Sequence, residues 1–283
     1  MFHVLTVHWH DDRFIEPQRR FLDRNLDDYR VYAALNGVDE KWFSHFDYAE
    51  DMKPQRLWEK LDALAVIARE HAKPDDYFLF IDGDAFPIAP LTPEVLGGTE
   101  LAAVRRDENL GEPYPHPCFC VARVGFWFDI QGTWNFGVTF TASNGDTLTD
   151  EGMNLLDILR RESIPWRPLL RSNTWNLDPV LFGVYDNVGY HHGAGFRRPV
   201  TQRVLRPHLE AAQSGSREAI VPESVPLLGR LERSLRSRVR QRQEARRFES
   251  EVDHTQELSA QVYEWIKTDD DFYRRFTEGT GPA

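Results

Sequence analysis

Cysteine is scarce in this chain. Only Cys118 and Cys120 occur among 283 residues, with one residue between them. This spacing does not fit a disulfide framework, and it does not fit the usual ligand spacing of a zinc site. We therefore expect two thiols on one face of a strand.

The chain also lacks long apolar runs and a secretion signal. No stretch reaches the roughly 18 apolar residues that suggest a membrane span. The first residues, Met-Phe-His-Val-Leu-Thr-Val-His, contain neither a basic region nor a small-residue cleavage site. A cytoplasmic location is the default expectation.

Basic residues are fewer than acidic ones, 34 against 45, so the formal net charge is −11. This argues against broad nucleic-acid binding, which needs a basic surface. The arginines are nevertheless concentrated between Arg230 and Arg247, where eight Arg accompany two acidic residues. One interpretation is a peripheral contact with an anionic membrane. We favour a helix packed on the body of the protein or against a second subunit in a homo-oligomer.

The first part of the chain alternates strand and helix patterns. Three segments are typical of strands: Phe2 to Trp9, Tyr29 to Leu35, and the apolar run Tyr77 to Ile81. Helical patterns separate them, one after Asp11-Asp12 and one from Pro54 to about Ala72. A β-α-β-α-β order predicts a parallel sheet covered by helices. Ligands of such sheets lie beyond the carboxyl ends of the strands.

An acidic turn, Asp82-Gly83-Asp84, follows the third strand directly. Carboxylate oxygens suit Mg²⁺ or Mn²⁺, and a glycine allows close approach of a ligand. An ion held by few protein ligands keeps positions open for phosphate oxygens and can stabilise a departing diphosphate. The position of the turn after a buried strand favours a metal site over an ordinary acidic surface turn.

A second motif runs from His192 to Pro199, with the sequence His-Gly-Ala-Gly-Phe-Arg-Arg-Pro. A neutral imidazole could complete an Asp/Asp/His metal site, and His191 is as plausible a ligand as His192 by position. Glycine amides can approach a phosphate, and Arg198 could clamp phosphate oxygens with two hydrogen bonds.

With both motifs, residues 1 to 200 resemble the GT-A superfamily of glycosyltransferases. The late motif is similar to that of the glycogenin-like retaining family, although Arg198 replaces a Lys and the Asp-Gln-Asp stretch of that family is absent. The resemblance implies a Rossmann-like, mixed, mainly parallel α/β sheet flanked by helices at 1–200. Residues 201–283 are expected to form a helical C-terminal extension.

The resemblance also implies chemistry: a sugar moves from a nucleoside diphosphate, with uridine as the expected nucleoside, to a hydroxyl acceptor. Asp84 would bind Mn²⁺ or Mg²⁺ directly, His192 would be a further ligand, and Asp82 would contact the ribose or a metal-bound water. Thr6 and His8 would face the base, Asn36 could reach base or ribose, and Asp62 would contact the donor.

Asp150 and Glu151 stand at the start of a predicted helix. One of them could be the general base that deprotonates the acceptor in an inverting enzyme. An acidic residue at a helix N-terminus is also an ordinary cap. Both interpretations stay open.

Three other functions compete with glycosyl transfer. A haloacid-dehalogenase-type phosphatase is disfavoured, because it expects Thr or Val where Phe86 stands and carries its acidic motif on the first strand. A sugar nucleotidyltransferase would have a Gly-rich, basic loop after the first strand, where this chain has His8-Trp9-His10-Asp11-Asp12. A non-catalytic nucleotide-sugar-binding protein on the same scaffold stays open.

Overall fold

The computed structural model describes residues 1–52, 55–106, 113–141, 147–175, 181–193 and 253–279. The chain divides into two compact units, one of Met1–Gly193 with Asp270–Ala283 and one of Ala194–Asp269. Within the described part of the chain, no helix has the length and apolarity needed to cross a membrane.

The main sheet has seven strands in the order β10-β6-β7-β4-β1-β2-β3. Six strands run in one direction, and β7 is antiparallel to both of its neighbours. The strands are β1 (Phe2–Trp9), β2 (Tyr29–Asn36), β3 (Tyr48–Glu50), β4 (Tyr77–Asp82), β6 (Leu101–Arg106), β7 (Tyr114–Arg123) and β10 (Arg167–Leu169).

Helices cover the two faces of this sheet. Even-numbered residues of β1, such as Val4, lie in a core cluster with Ile15 and Leu22 of α1, whereas odd-numbered residues such as Leu5 lie in a cluster with residues of α2. This alternation follows from the period of two along a strand. The described helices of this unit are α1 (Ile15–Asn25), α2 (Leu57–Arg69), α3 (Val124–Asp129), α4 (Met153–Arg161) and α6 (Arg274–Thr277), whereas α5 (residues 253–268) belongs to the other unit.

A second sheet adjoins the acidic turn. Its three strands have the order β11-β12-β5, with bounds β5 (Ala85–Pro87), β11 (Leu181–Tyr185) and β12 (Gly189–Gly193). Phe272 and Phe276 belong to the same compact unit and pack against its aromatic side chains, with Tyr190 in contact with both. A short hairpin of β8 (Phe140–Thr141) and β9 (Thr147–Leu148) completes the described strands.

The structure confirms the predicted fold class, a mixed, mainly parallel sheet flanked by helices. The assignment of a catalytic domain to 1–200 and a helical extension to 201–283 stays a prediction.

Candidate functional site

The acidic turn meets a histidine from the second sheet. Nε2 of His191 lies 3.2 Å from Oδ2 of Asp82 and 3.3 Å from Oδ1 of Asp84. Ligand atoms of all three residues lie within 4.8 Å of one another. The pairing of β12 with β5 produces this arrangement, because His191 is opposite Ala85, the residue after the turn.

The structure places His191, and not His192, beside the two carboxylates. Successive side chains of a strand point to opposite faces, so only one of two adjacent histidines can reach the turn. The ring of His192 is fully buried against Phe14 and Phe182, and its Nδ1 is 3.0 Å from the Tyr190 hydroxyl. Among the described residues, the cluster that could hold a metal ion therefore contains His191, the other position that the sequence left open.

Gly83 is required by the close approach of two strand ends. A Cβ atom at this position would lie 2.6 Å from the carbonyl oxygen of Val7 and 2.8 Å from Nδ1 of His8. Such contacts are too short for any side chain, so the backbone of the turn would have to move away from β1. The glycine of the acidic turn thus allows Asp82 and Asp84 to sit against the end of β1.

Gln18 of α1 holds the backbone of the acidic turn, a role that no sequence pattern indicated. Its buried Nε2 is placed to donate to three carbonyl oxygens, those of Asp82 at 3.0 Å, Gly83 at 3.3 Å and Ala85 at 2.8 Å. Its Oε1 lies 3.2 Å from Nε2 of His8. A helix pattern identifies Gln18 only as one more position on α1, because its partners are distant in the sequence.

Thr6 and His8 are both buried in β1, and their contact with the base stays a prediction. Thr6 is fully buried on the face of β1 that packs against α1. Burial lowers the pKa of His8 to about 4, although the hydrogen bond with Gln18 opposes this effect. A neutral His8 donates through Nε2 to Oε1 of Gln18, and it thereby supports the side chain that holds the acidic turn.

Asp62 is held by two hydrogen bonds within the protein, and its contact with the nucleotide-sugar donor stays a prediction. Its carboxylate accepts hydrogen bonds from the Thr133 hydroxyl at 2.5 Å and from the Trp134 backbone amide at 3.1 Å. Burial raises the pKa of Asp62 to about 6, against the opposing effect of these hydrogen bonds. The residue ties α2 to the loop after α3, because both of its oxygens are held there.

Asn36 lies at the carboxyl edge of the sheet, as expected. It is the last residue of β2, it is 2% exposed, and its Nδ2 donates to Oδ1 of Asp51 at 2.8 Å. Arg198 and the Arg-rich segment 230–247 lie outside the described residues, so the phosphate clamp and the membrane contact stay predictions.

Asp150 and Glu151 form a second acidic group. The Tyr114 hydroxyl and the Glu151 amide donate to the two oxygens of Asp150. Burial alone would raise the pKa of Asp150, but His116 and these hydrogen bonds outweigh it and lower the pKa. Burial and the adjacent Asp150 raise the pKa of Glu151 to about 7. A carboxyl group with this pKa can exchange protons near neutral pH.

A continuous set of buried groups links this pair with the metal-binding candidates. His116 interacts electrostatically with Asp150 on one side and with Cys118 on the other, and Cys118 interacts with His191. The Cys118 amide also donates to Nδ1 of His116 at 3.0 Å. These interactions connect the Asp150–Glu151 pair, through two residues of β7, with the histidine beside the acidic turn.

The three residues at the turn fit a divalent cation. Burial disfavours a charge on His191, but Asp84, Cys118 and Asp82 outweigh it and raise the pKa of His191. The two carboxylates thus favour positive charge at this point. Two carboxylates with one imidazole form a mixed oxygen and nitrogen donor set, which suits Mn²⁺ and leaves coordination positions for ligand oxygens.

A scan against protein-family models found no match, and a comparison with curated protein sequences found none either. Several solved structures are similar in fold. One is the mannosyltransferase PcManGT from Pyrobaculum calidifontis in complex with GDP-Man and Mn²⁺. The match includes 100% of this chain and 76% of that chain, with 10% sequence identity and a TM-score of 0.42.

Two further similar structures come from different enzymes. TarS of S. aureus is 11% identical, with 48% of this chain and 30% of that chain covered and a TM-score of 0.34. The structure of 4-diphosphocytidyl-2C-methyl-D-erythritol synthase is 13% identical, with 60% and 88% covered and a TM-score of 0.37. The matched region spans less than two thirds of the length of TarS, and the same holds for two other similar structures, the glycosyltransferase GlyE of Streptococcus pneumoniae and LgtC. Since these likenesses concern the fold alone, the assignment of function depends on the residues of the site.

Proposed function

We propose that this chain is a metal-dependent glycosyltransferase that takes a nucleoside-diphosphate sugar as donor and a hydroxyl group as acceptor. The observation that supports this most directly is the cluster of Asp82, Asp84 and His191 at the carboxyl edge of the sheet, with ligand atoms within 4.8 Å of one another. This edge is where α/β sheets bind their ligands.

Asp82, Asp84 and His191 would hold Mn²⁺ or Mg²⁺. When bound there, the ion would supply positive charge that stabilises the diphosphate as it leaves the sugar. Gln18 and Gly83 keep the two aspartates in place, so that little reorganisation is needed when the donor binds. We propose His191 as the third ligand because its ring, and not that of His192, faces the aspartates.

Glu151 is the proposed general base, and Asp150 is its positioning residue. Both oxygens of Asp150 accept hydrogen bonds from Tyr114 and Glu151, whereas burial holds the pKa of Glu151 at about 7. In an inverting transfer, Glu151 would take the proton of the acceptor hydroxyl as its oxygen bonds to the anomeric carbon. The bond from that carbon to the diphosphate would break in the same step.

The test is release of nucleoside diphosphate from nucleotide sugars by the full chain with Mn²⁺ and a sugar acceptor. Asp84→Asn should reduce turnover by about a hundredfold or more, because it removes a charged metal ligand. Asp75→Asn is a matched control just before β4, with a side chain that is 88% exposed, and should have normal turnover. Full activity of Asp84→Asn, or undiminished wild-type activity in EDTA, would contradict the proposal.

The reaction products distinguish the competing functions. A glycosyltransferase releases a nucleoside diphosphate from the donor, whereas a nucleotidyltransferase releases pyrophosphate from a nucleoside triphosphate and a sugar phosphate. A binding protein would hold the nucleotide sugar without releasing either product. Two parallel incubations, one with a nucleotide sugar and an acceptor and one with a nucleoside triphosphate and a sugar phosphate, each analysed for both products, therefore separate the three.

A further inference from the structure

An exposed tryptophan ends the first strand. Trp9 is 56% exposed, although it is one of the largest apolar side chains in the protein. The backbone just after Trp9 is held firmly, because the His10 amide donates to the carbonyl oxygen of Asn36 at 2.7 Å. The His10 ring also lies against Gly37, where a Cβ would be 2.2 Å from Nδ1. Trp9 is thus a firmly held, open aromatic surface.

Trp9 lies on the same face of the sheet as the first aspartate of the turn. Val7 is beside Asp82 in the register of β1 and β4, and Trp9 follows two residues, or about 7 Å, further along β1. Asn36 is the register partner of Trp9 on β2. Alternation along the strands therefore directs Trp9, Asn36 and Asp82 to the face that α2 covers.

Asn36 presents a hydrogen-bond acceptor beside this aromatic surface. Its Nδ2 donates to Asp51, which leaves Oδ1 as the remaining polar atom of the side chain. Among the described residues, this buried Oδ1 has no hydrogen-bond partner. A buried acceptor without a partner costs stability, and a ligand N–H group would satisfy it.

Asp51 supplies a second acceptor next to the first. Its carboxylate accepts the Asn36 amide at 2.8 Å and is exposed at the end of β3. Lys60, which is buried on α2, interacts electrostatically with Asp51. Asn36 and Asp51 therefore form a pair of neighbouring acceptors at the edge of the Trp9 surface.

We propose that Trp9, Asn36 and Asp51 form a subsite that selects guanine as the base of the nucleotide donor. This inference rests on the proposed function and departs from the uridine that the resemblance implies. The Watson–Crick edge of guanine has two adjacent donors, N1–H and the 2-amino group. Uracil has one donor between two carbonyl oxygens, and adenine and cytosine each have an unprotonated ring nitrogen beside one amino group. Only guanine meets two neighbouring acceptors without repulsion.

The test is calorimetric titration of the full chain with GDP, IDP, UDP, ADP and CDP, each with Mn²⁺. Inosine is the informative comparison, because it differs from guanosine only by the 2-amino group. We expect GDP to bind about tenfold more tightly than IDP and UDP, and about a hundredfold more tightly than ADP and CDP. UDP binding as tightly as GDP would overturn the inference and leave the proposed glycosyl transfer intact.

Two variants separate stacking from recognition of the base edge. Trp9→Ala should weaken all five nucleotides about tenfold and keep the ratio between GDP and IDP, because stacking is shared by every base. Asp51→Asn should bring the GDP and IDP affinities close together, because it replaces a charged acceptor. An unchanged ratio in Asp51→Asn would overturn the inference. If no nucleotide binds in a Mn²⁺-dependent way, both the inference and the proposed function fail.

Discussion

Glu151 is the residue whose protonation most directly affects the proposed chemistry. Burial and the adjacent Asp150 raise its pKa to about 7, so the folded protein holds the proton more tightly than an exposed glutamate does. A general base must be deprotonated before it can take the proton of the acceptor hydroxyl. Activity should therefore be low below pH 7 and rise to a plateau above it.

A pH profile of kcat/KM tests this role. The wild-type chain should show an acid limb with an apparent pKa of about 7. Asp150→Asn removes the charge that raises the pKa of Glu151, so the limb should move to lower pH. Glu151→Gln should lose about a hundredfold or more in rate at every pH. A wild-type profile that is flat from pH 5 to 9 would argue against an ionising protein base.

At the scale of elements, α1 holds the acidic turn through a single side chain. Gln18 donates to the carbonyl oxygens of Asp82, Gly83 and Ala85, and it accepts from His8. The helix, the end of β1 and the turn are therefore linked in the interior, where an unsatisfied carbonyl is costly.

Replacement of Gln18 by Leu should weaken this link. It leaves three carbonyl oxygens without their buried donor, and we expect a loss of about 2–4 kcal/mol in the free energy of unfolding. Affinity for Mn²⁺ should fall about tenfold, because groups that orient metal ligands typically contribute this much. Urea unfolding and calorimetric Mn²⁺ titration measure the two effects. Wild-type Mn²⁺ affinity in a folded Gln18→Leu protein would show that the hydrogen bonds of Gln18 do not position the metal ligands.

Pairing of distant strands decided which histidine faces the turn. The sequence predicted the turn correctly, because the apolar run from Tyr77 to Ile81 and the two carboxylates are local features. It left His191 and His192 open, because the choice depends on the register that puts His191 opposite Ala85, more than 100 residues away. The hydrogen-bond partners of Asp62 could not be predicted for the same reason, since Thr133 and Trp134 are distant in the sequence.

At the scale of the whole molecule, the local pattern was enough for the fold class. Alternating strand and helix patterns in the first 82 residues imply parallel strands covered by helices, and β1, β2 and β4 form within a residue of their expected bounds. The antiparallel β7 and the second sheet follow from tertiary contacts that no local pattern contains. They bring His191 beside the two aspartates of the acidic turn and place Cys118 of β7 where it interacts with His191.

The adjacent histidines offer the most direct measurement of the central claim, that Asp82, Asp84 and His191 bind a divalent cation. Calorimetric titration with Mn²⁺ should compare the full chain with His191→Ala and with His192→Phe. We expect His191→Ala to weaken Mn²⁺ binding by at least about tenfold, since it removes a ligand. His192→Phe keeps a buried aromatic ring and should bind Mn²⁺ as the wild type does. Equal Mn²⁺ affinity in His191→Ala and the wild type, or a loss confined to His192→Phe, would contradict the account.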